Sequence, residues 1–409
     1  MLKVREAAAV HCLYDRKTER VRAYSIDKEF ILNNDLWNSH PEDRIEDHEQ
    51  PLTPLPTPGE LEDRVIGSAV QQAKRCSTSR GRRVLRDKRM QQELDEKGFT
   101  TLPLLGADDV TRLKELFVES TGGSVENTAY GMYIGLEETD LERKRGVIRH
   151  VLAAMLPRAQ EHFEECKPHL GSFLVKAPGE DSYTYPHQDW TFVDTPEYRS
   201  MTVWTALVDV DEGNGALGFV PGSHAFFDKL VGSPSPDFMT CAQGHETILY
   251  EYLQFVPLRA GEAVVFDNRT IHGASPNRSD QQRIAVAIGM TPSEAQLYHY
   301  FLVADSLRGS SRKLAKLKVD SSFFEKNTVA SLKKMYDAKQ MPGDCEIESL
   351  LDDEFVPFTG VEIRKLCESS GLRPNGRRLS PGHAPKERGK ASATAVSPVK
   401  RFLASLFRQ

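Results

Sequence analysis

Between residues 171 and 305 the sequence consists of short, mostly apolar runs that alternate with polar residues. The runs are GSFLVK, MTVWTALVDV, LGFVPGSH, AVVFD, RIAVAIGM and HYFLV. Glycine, proline, asparagine and aspartate separate them, as in DEGNG and PNRSD. Many short strands with such turn residues between them are typical of a β-sandwich or β-barrel.

Helical patterns lie on both sides of this strand-rich region. Residues 106–120, GADDVTRLKELFVES, carry four apolar residues at helical spacing: Val110, Leu113, Leu116 and Phe117. A second helical stretch, residues 145–165, is predicted to kink or break at Pro157, because proline has no N–H to donate. After about residue 305 the pattern is helical again. Helices that precede and follow a strand-rich core predict an α+β fold with helices packed outside the sheets.

The chain divides into five segments by composition and pattern. PLTPLPTPGE, at residues 51–60, contains four prolines and reads as a linker. The predicted segments are a polar leader with this proline-rich linker (1–60), a basic helical lead-in (61–90), the strand-rich domain (91–305), a helical extension (306–370) and a basic, disordered tail (371–409). The tail carries nine Lys and Arg residues against one acid, and its PVKRFLASLFRQ end is a candidate for weak contact with a partner or a membrane.

Composition narrows the class of protein. The 409 residues are 39% hydrophobic and 27% charged, as in ordinary globular proteins, and no apolar run is long enough to span a membrane. The formal net charge of −6 argues against a nucleic-acid-binding protein. The six cysteines are scattered, which favours reduced thiols. We therefore expect a cytoplasmic protein.

A His-x-Asp pair in YTYPHQDW is the first candidate for a metal site. Residues two apart on a strand point to the same face, so His187 and Asp189 are predicted to project together. A site for Fe(II) oxygen chemistry needs two histidines and one carboxylate. His272, just after the AVVFD strand, is the best candidate for the second histidine. His224 and His245 remain rivals, in a loop after a Pro-Gly turn and in a polar insert.

Arg283 opens the strand RIAVAIGM and is a candidate anion-binding residue. Its neighbours on the same strand face are small: Ala285, Ala287 and Gly289. They leave room for a ligand whose carboxylate a guanidinium can bind in bidentate fashion. Metal ligands, an anion-binding arginine and space between them are thus predicted in one region.

Three longer motifs make a resemblance specific. YPHQDW, WTALVDVDEGNGALGFVPGSH and FDNRTIHGASPNRSDQQRIAVAIGM resemble the phytanoyl-CoA dioxygenase family of Fe(II)/2-oxoglutarate oxygenases, over about residues 91–305. The resemblance implies a double-stranded β-helix (jelly-roll, cupin-like) core. It implies His187, Asp189 and His272 as iron ligands.

The same resemblance implies the cosubstrate and the reaction. Arg283 would bind the distal carboxylate of 2-oxoglutarate, and Lys176, Gln188 and Trp204 would line its pocket. Substrate hydroxylation would use dioxygen and release succinate and CO2, with ascorbate as an optional addition. Relatives that halogenate replace the carboxylate ligand by a small residue, so Asp189 favours hydroxylation. The substrate, a small or medium organic molecule, is expected to be selected by residues 130–136 and 234–250.

Two other classes remain open at this point. One is a β-helix protein that binds a metal or ligand as a sensor or scaffold, without turnover. It has no need for three metal ligands and an arginine together. The other is a cupin-type metalloenzyme, although cupins usually supply more histidines and a glutamate. Trp190 and Phe192 can either line a substrate pocket or pack in the core.

Overall fold

A computed structural model describes residues 10–15, 20–25, 44–48 and 82–377, apart from 129, 196, 228, 236, 239, 241–242, 308–310, 344 and 355–357. Most of the predicted leader and lead-in, and the tail after residue 377, therefore lie outside the described residues. Within the leader, the strands β1, β2 and β3 form a small antiparallel sheet in the order β2-β1-β3. Their bounds are Val10–Asp15, Arg20–Ser25 and Arg44–His48.

Two antiparallel sheets form the centre of the protein. The larger sheet has the order β4-β11-β8-β13-β6-β5 and the smaller one β10-β9-β12-β7. The bounds are β4 Phe99–Pro103, β5 Tyr133–Ile134, β6 Cys166–Lys176, β7 Thr184–His187, β8 Met201–Ala206, β9 Leu217–Phe219, β10 Gln254–Phe255, β11 Glu262–Asp267, β12 His272–Ala274 and β13 Arg283–Pro292. This arrangement confirms the predicted double-stranded β-helix core of an α+β protein.

Side chains from the two sheets meet between them. The Phe99 ring on β4 stacks on the Phe219 ring on β9, with centroids 4.5 Å apart. Trp204, Ala285 and Ala287 belong to the same buried cluster. Alternation along β13 sends Val286, Ile288 and Met290 to the opposite face, where helices cover them. The interior face of β13 therefore begins with Arg283 and continues with the small residues Ala285, Ala287 and Gly289.

Helices cover the outer face of the larger sheet. The predicted helix at 106–120 is observed at Ala107–Thr121, and it buries Val110, Leu113 and Phe117. The helix Leu141–His162 continues through Pro157, so the predicted break there is wrong. Pro157 has no N–H to donate to the Ala153 carbonyl. Both residues are exposed, so water can bond to that carbonyl instead. Burial of Met155 and Ala159 holds the helix on the sheet on either side of the proline. The other helices of four or more residues in the described ranges are Lys88–Lys97, Ser223–Phe226, Glu246–Tyr250, Ser321–Lys326, Val329–Asp337 and Gly360–Ser369.

The segment 306–370 is more than the predicted helical extension. It contains β15, Ser311–Val319, and β16, Glu346–Glu354, which form a third sheet with β14, Leu297–Leu302. The prediction missed these strands because lysines interrupt their apolar pattern, as in SRKLAKLKV. Buried Leu317 and Phe324 pack this segment against Phe192, close to the His-x-Asp pair. Among the helices of the described ranges, none is long and apolar enough to span a membrane.

Candidate metal centre

Pairing of two short strands brings two of the predicted ligands together. β7 ends at His187, β12 begins at His272, and the two histidines are direct partners in the antiparallel register. Their rings lie 4.4 Å apart between centroids. Asp189 follows β7 by two residues, and its main-chain N–H donates to the Asn268 carbonyl at 3.1 Å. The backbone of two neighbouring segments thus positions all three side chains.

The three side chains converge on one point. Asp189 Oδ1 lies 3.8 Å from His187 Nε2 and 3.7 Å from His272 Nε2. One ligand atom from each residue lies within 4.8 Å of the others, and this is the one such group of His, Cys, Asp or Glu in the described part of the chain. The rivals are engaged elsewhere: His224 Nε2 lies 3.2 Å from the Asp95 carbonyl oxygen and His245 Nε2 lies 2.6 Å from that of Phe358.

Hydrogen bonds to the other ring nitrogens prepare both imidazoles for a metal. His187 Nδ1 lies 2.8 Å from the Tyr185 carbonyl oxygen, and His272 Nδ1 lies 3.0 Å from that of Thr270. A carbonyl only accepts, so Nδ1 carries the proton and the Nε2 lone pair is left for a metal. Burial and the nearby His187 lower the pKa of His272 to about 4. The neutral form that a metal requires is therefore favoured.

The second oxygen of Asp189 has protein partners that sequence reasoning missed. Asn268 Nδ2 donates to Asp189 Oδ2 at 2.8 Å, and Thr202 Oγ1 lies 3.4 Å from the same oxygen. Asn268 lies in FDNRTIHG, between β11 and the candidate ligand His272. Its nearness to His272 in sequence was a signal, although nothing local shows that it reaches Asp189.

Arg283 and Lys176 form a buried pair of basic residues at one end of the interior. They are direct partners between β13 and β6, and they are 1% and 0% exposed. Arg283 Nη1 donates to the Leu174 carbonyl at 3.0 Å, whereas Nε has no partner in the described structure. Burial lowers the pKa of Arg283 to about 9. Burial and the nearby Arg283 charge hold the pKa of Lys176 well below its ordinary value.

No carboxylate of the described residues forms a salt bridge with Arg283 or Lys176. Lys176 Nζ instead donates to the Ser182 carbonyl and, at 2.9 Å, to Thr184 Oγ1. Buried cations ordinarily have an anionic partner, because removing a charge from water is costly. The pair is therefore suited to an anion supplied by a ligand. The Arg283 guanidinium also lies 5.0 Å from the centre of the Trp204 ring, so the predicted residue Trp204 is part of this end of the site.

The remaining predicted pocket residues are placed differently. Gln188 Nε2 donates to the carbonyls of Phe227 and Arg269, both at 2.6 Å, so this amide holds two loops together. Phe192 is 6% exposed and packs in the core against the C-terminal sheet. Trp190 is half-buried, with its ring 4.8 Å from that of His299.

Two further buried histidines lie beside the centre. Neither ring nitrogen of His169 has a hydrogen-bond partner in the described structure, and its ring lies 4.7 Å from that of Phe192. His299 Nε2 lies 2.7 Å from Ser233 Oγ. Burial lowers the pKa of each to about 3. Together with His272, they are three imidazoles that the fold keeps neutral.

These three histidines predict acid sensitivity. Below about pH 6.5 the unfolded chain binds protons that the folded protein does not accept until about pH 3 to 4, so the free energy of unfolding falls as pH drops through this window. Each histidine contributes a loss of up to about 1.4 kcal/mol per pH unit. Denaturant titrations at several pH values in this window would measure the slope. His299→Phe should reduce it by about a third. A wild-type slope near zero would contradict the prediction.

Comparison with known proteins agrees with this geometry. The family model for phytanoyl-CoA dioxygenase (PhyH) matches residues 96–285. Phytanoyl-CoA dioxygenase domain-containing protein 1 of Danio rerio is 36% identical over 128 residues, 30% of this chain and 44% of that protein. Dioxygenase cdmA of Talaromyces verruculosus is 27% identical over 170 residues, 39% of this chain and 53% of that protein. The chain thus spans about half the length of the curated relatives it matches.

A solved structure is also similar, that of the non-heme alpha ketoglutarate dependent carbocyclase SnoK from nogalamycin biosynthesis. It is 23% identical, with a TM-score of 0.40, over 52% of this chain and 86% of that one. The family match includes all three candidate ligands and Arg283. The candidate site therefore lies within the part of this chain, residues 96–285, that is similar to the phytanoyl-CoA dioxygenase family.

Proposed function

We propose that this protein is an Fe(II)- and 2-oxoglutarate-dependent dioxygenase that hydroxylates a small or medium organic substrate and releases succinate and CO2. The observation that carries the proposal is the joint presence of the three converging ligands and a buried basic pair without an acidic partner. A protein that only binds a metal does not need this buried basic pair. The dioxygenase names of the relatives support the same class.

The donor set fits Fe(II). Two neutral imidazoles and one carboxylate, with other positions left open, are the ligands of non-heme iron oxygenases. His187, Asp189 and His272 would hold the ion, and iron bound there would supply the activation of dioxygen. The His187 side chain is 43% exposed, so the centre is accessible from that side.

The basic pair fits the distal carboxylate of 2-oxoglutarate. Trp204, beneath the Arg283 guanidinium, lies two residues along β8 from Thr202, which contacts Asp189. Two residues of strand span about 7 Å, roughly the length of a five-carbon dicarboxylic acid. The small side chains of Ala285 and Ala287 leave room along this path. A carboxylate at Arg283 would offset the cost of burying its charge.

An anaerobic titration tests the proposal directly. Adding Fe(II) and 2-oxoglutarate to the full-length protein should produce the visible charge-transfer band of the iron chelate. Absence of the band would overturn the iron and cosubstrate assignment. Succinate formation in air should then be stimulated by the substrate, and a compound screen with this readout would identify its class. A band without succinate formation under any condition would favour the non-catalytic scaffold.

Gly215 offers a test of the cosubstrate end alone. Its φ is +103°, and an added Cβ would lie 2.8 Å from Lys176 Cδ and 3.5 Å from Arg283 Nε. Gly215→Ala should therefore narrow the space beside the basic pair and weaken 2-oxoglutarate binding about tenfold or more, while Fe(II) affinity is retained. Titration of the charge-transfer band measures both.

The control is Gly122→Ala, because Gly122 also has a positive φ, +76°, but an added Cβ there has no atom within 4 Å. It carries the backbone strain without the steric effect. Equal 2-oxoglutarate affinity in both variants would remove Gly215 from the proposed pocket.

A further inference from the structure

We propose that Asn268 is a positioning residue that makes Asp189 bind the metal through Oδ1 alone. The inference rests on the proposed iron site and adds a role that the ligand set does not define. Asn268 Nδ2 donates to Asp189 Oδ2 at 2.8 Å, while Asp189 Oδ1 is the oxygen that lies near both histidines. The two oxygens of one carboxylate thus have separate tasks.

The orientation of the Asn268 amide follows from its neighbour. An ionised carboxylate only accepts hydrogen bonds, so the amide nitrogen must face Asp189. The same nitrogen also lies 2.8 Å from Thr202 Oγ1, which lies 3.4 Å from Asp189 Oδ2. Because Thr202 accepts from Asn268, its own hydroxyl proton is available for the carboxylate. Asp189 Oδ2 is therefore occupied by protein donors on the side away from the histidines.

Asn268 is held rigidly in this place. It is 2% exposed, its main-chain N–H donates to the Ser200 carbonyl at 3.1 Å, and its own carbonyl accepts the Asp189 N–H at 3.1 Å. Its side-chain Oδ1 is buried and has no partner in the described structure. A buried acceptor without a donor is unfavourable, so the side chain is not placed for its own hydrogen bonding. Its placement is explained by the contact with Asp189.

The loop that carries Asn268 also orients a second ligand. Asp267, the last residue of β11, directly precedes Asn268; it is 1% exposed and pairs with Arg269 at 2.7 Å and with Arg199 at 3.1 Å. Two residues after Asn268, the Thr270 carbonyl lies 3.0 Å from His272 Nδ1. One ionically anchored loop therefore sets the direction of both Asp189 and His272.

Single-oxygen binding has a chemical consequence. A carboxylate that chelates through both oxygens occupies two positions of an octahedral ion, whereas one held at Oδ2 occupies one. Bound through one carboxylate oxygen and two imidazoles, a metal ion would keep other positions open for cosubstrate and dioxygen. Partners of this kind typically change metal affinity 10- to 100-fold when they are removed.

Titration of the full-length protein with Co(II) tests the proposal, because the visible absorption of Co(II) reports its coordination number. Asn268→Leu keeps the number and branching of the side-chain heavy atoms and removes the donor. We expect it to lower Co(II) affinity about 10- to 100-fold and to change the absorption spectrum. Thr202→Val should produce a smaller loss of the same kind. Asn277→Leu is the control, because Asn277 is also fully buried but does not contact a proposed metal ligand. It should retain the wild-type Co(II) affinity and absorption spectrum.

A folded Asn268→Leu protein with wild-type Co(II) affinity and spectrum would overturn the proposal. If that variant does not fold, Thr202→Val decides, and unchanged affinity and spectrum in it would overturn the role. Equal losses of Co(II) affinity in Asn277→Leu and Asn268→Leu would indicate general destabilisation. That result would also overturn the proposal. A wild-type protein that binds no Co(II) would refute the metal centre itself, which distinguishes failure of the proposed function from failure of the role of Asn268.

Discussion

Replacing His187 with alanine is expected to abolish the Fe(II)/2-oxoglutarate charge-transfer band and succinate formation. His187 is one of the three proposed ligands, and the two that remain would leave the ion held mainly by water. Removing a residue that only hydrogen-bonds to a metal ligand lowers metal affinity about 10- to 100-fold. Loss of a ligand itself should therefore lower it at least about 100-fold. Anaerobic Fe(II) titration with 2-oxoglutarate in excess measures this loss.

The folded structure should survive this change. The His187 side chain is 43% exposed, and substitutions at such positions have small effects on stability. His150→Ala is the control, because His150 is exposed on the helix Leu141–His162, outside the candidate site. It should retain both the band and succinate formation. A His187→Ala protein with a wild-type band would show that the iron assignment is wrong.

Replacing Arg283 with alanine is expected to weaken 2-oxoglutarate binding severely while Fe(II) binding is retained. Removing one partner of a buried, hydrogen-bonded charge pair costs about 2 to 5 kcal/mol, or about 30- to 5,000-fold in affinity. Arg283 opens β13, whereas the residue of β13 that pairs with Thr202, the contact of Asp189, is Gly289, so Arg283 lies away from the proposed metal ligands. Titration of the charge-transfer band at fixed Fe(II) measures cosubstrate affinity, and Fe(II) titration without cosubstrate measures the metal.

Two further variants make this result specific. Arg283→Lys keeps the charge but loses the bidentate geometry of the guanidinium, so it should give an intermediate affinity for 2-oxoglutarate. Arg278→Ala removes an exposed arginine that pairs with Glu180 at 2.8 Å, and it should leave 2-oxoglutarate affinity unchanged. Equal affinity of wild-type and Arg283→Ala proteins for 2-oxoglutarate would remove Arg283 from the proposed role. Loss of Fe(II) binding in Arg283→Ala would instead indicate a general structural effect.

Features with a local periodic signal were predictable. The helix at Ala107–Thr121 was recognised because its apolar residues recur at helical spacing. The strands around β8 and β13 were recognised by alternation and turn residues. β15 and β16 were missed because charged residues, lysines in β15 and mostly acidic residues in β16, interrupt their apolar pattern. Pro157 gave a strong breaking signal that tertiary burial of the same helix overrode.

What the sequence by itself determined is the local part of the candidate site. The two-residue spacing of His187 and Asp189 follows from strand geometry, and the small residues after Arg283 follow from alternation. Tertiary structure alone decided which distant histidine pairs with His187, that Arg283 and Lys176 have no acidic partner in the described structure, and that Asn268 reaches Asp189. The physical reason is that periodicity specifies the face on which a side chain lies. Contacts between distant segments depend instead on strand pairing and burial, which the whole chain sets together.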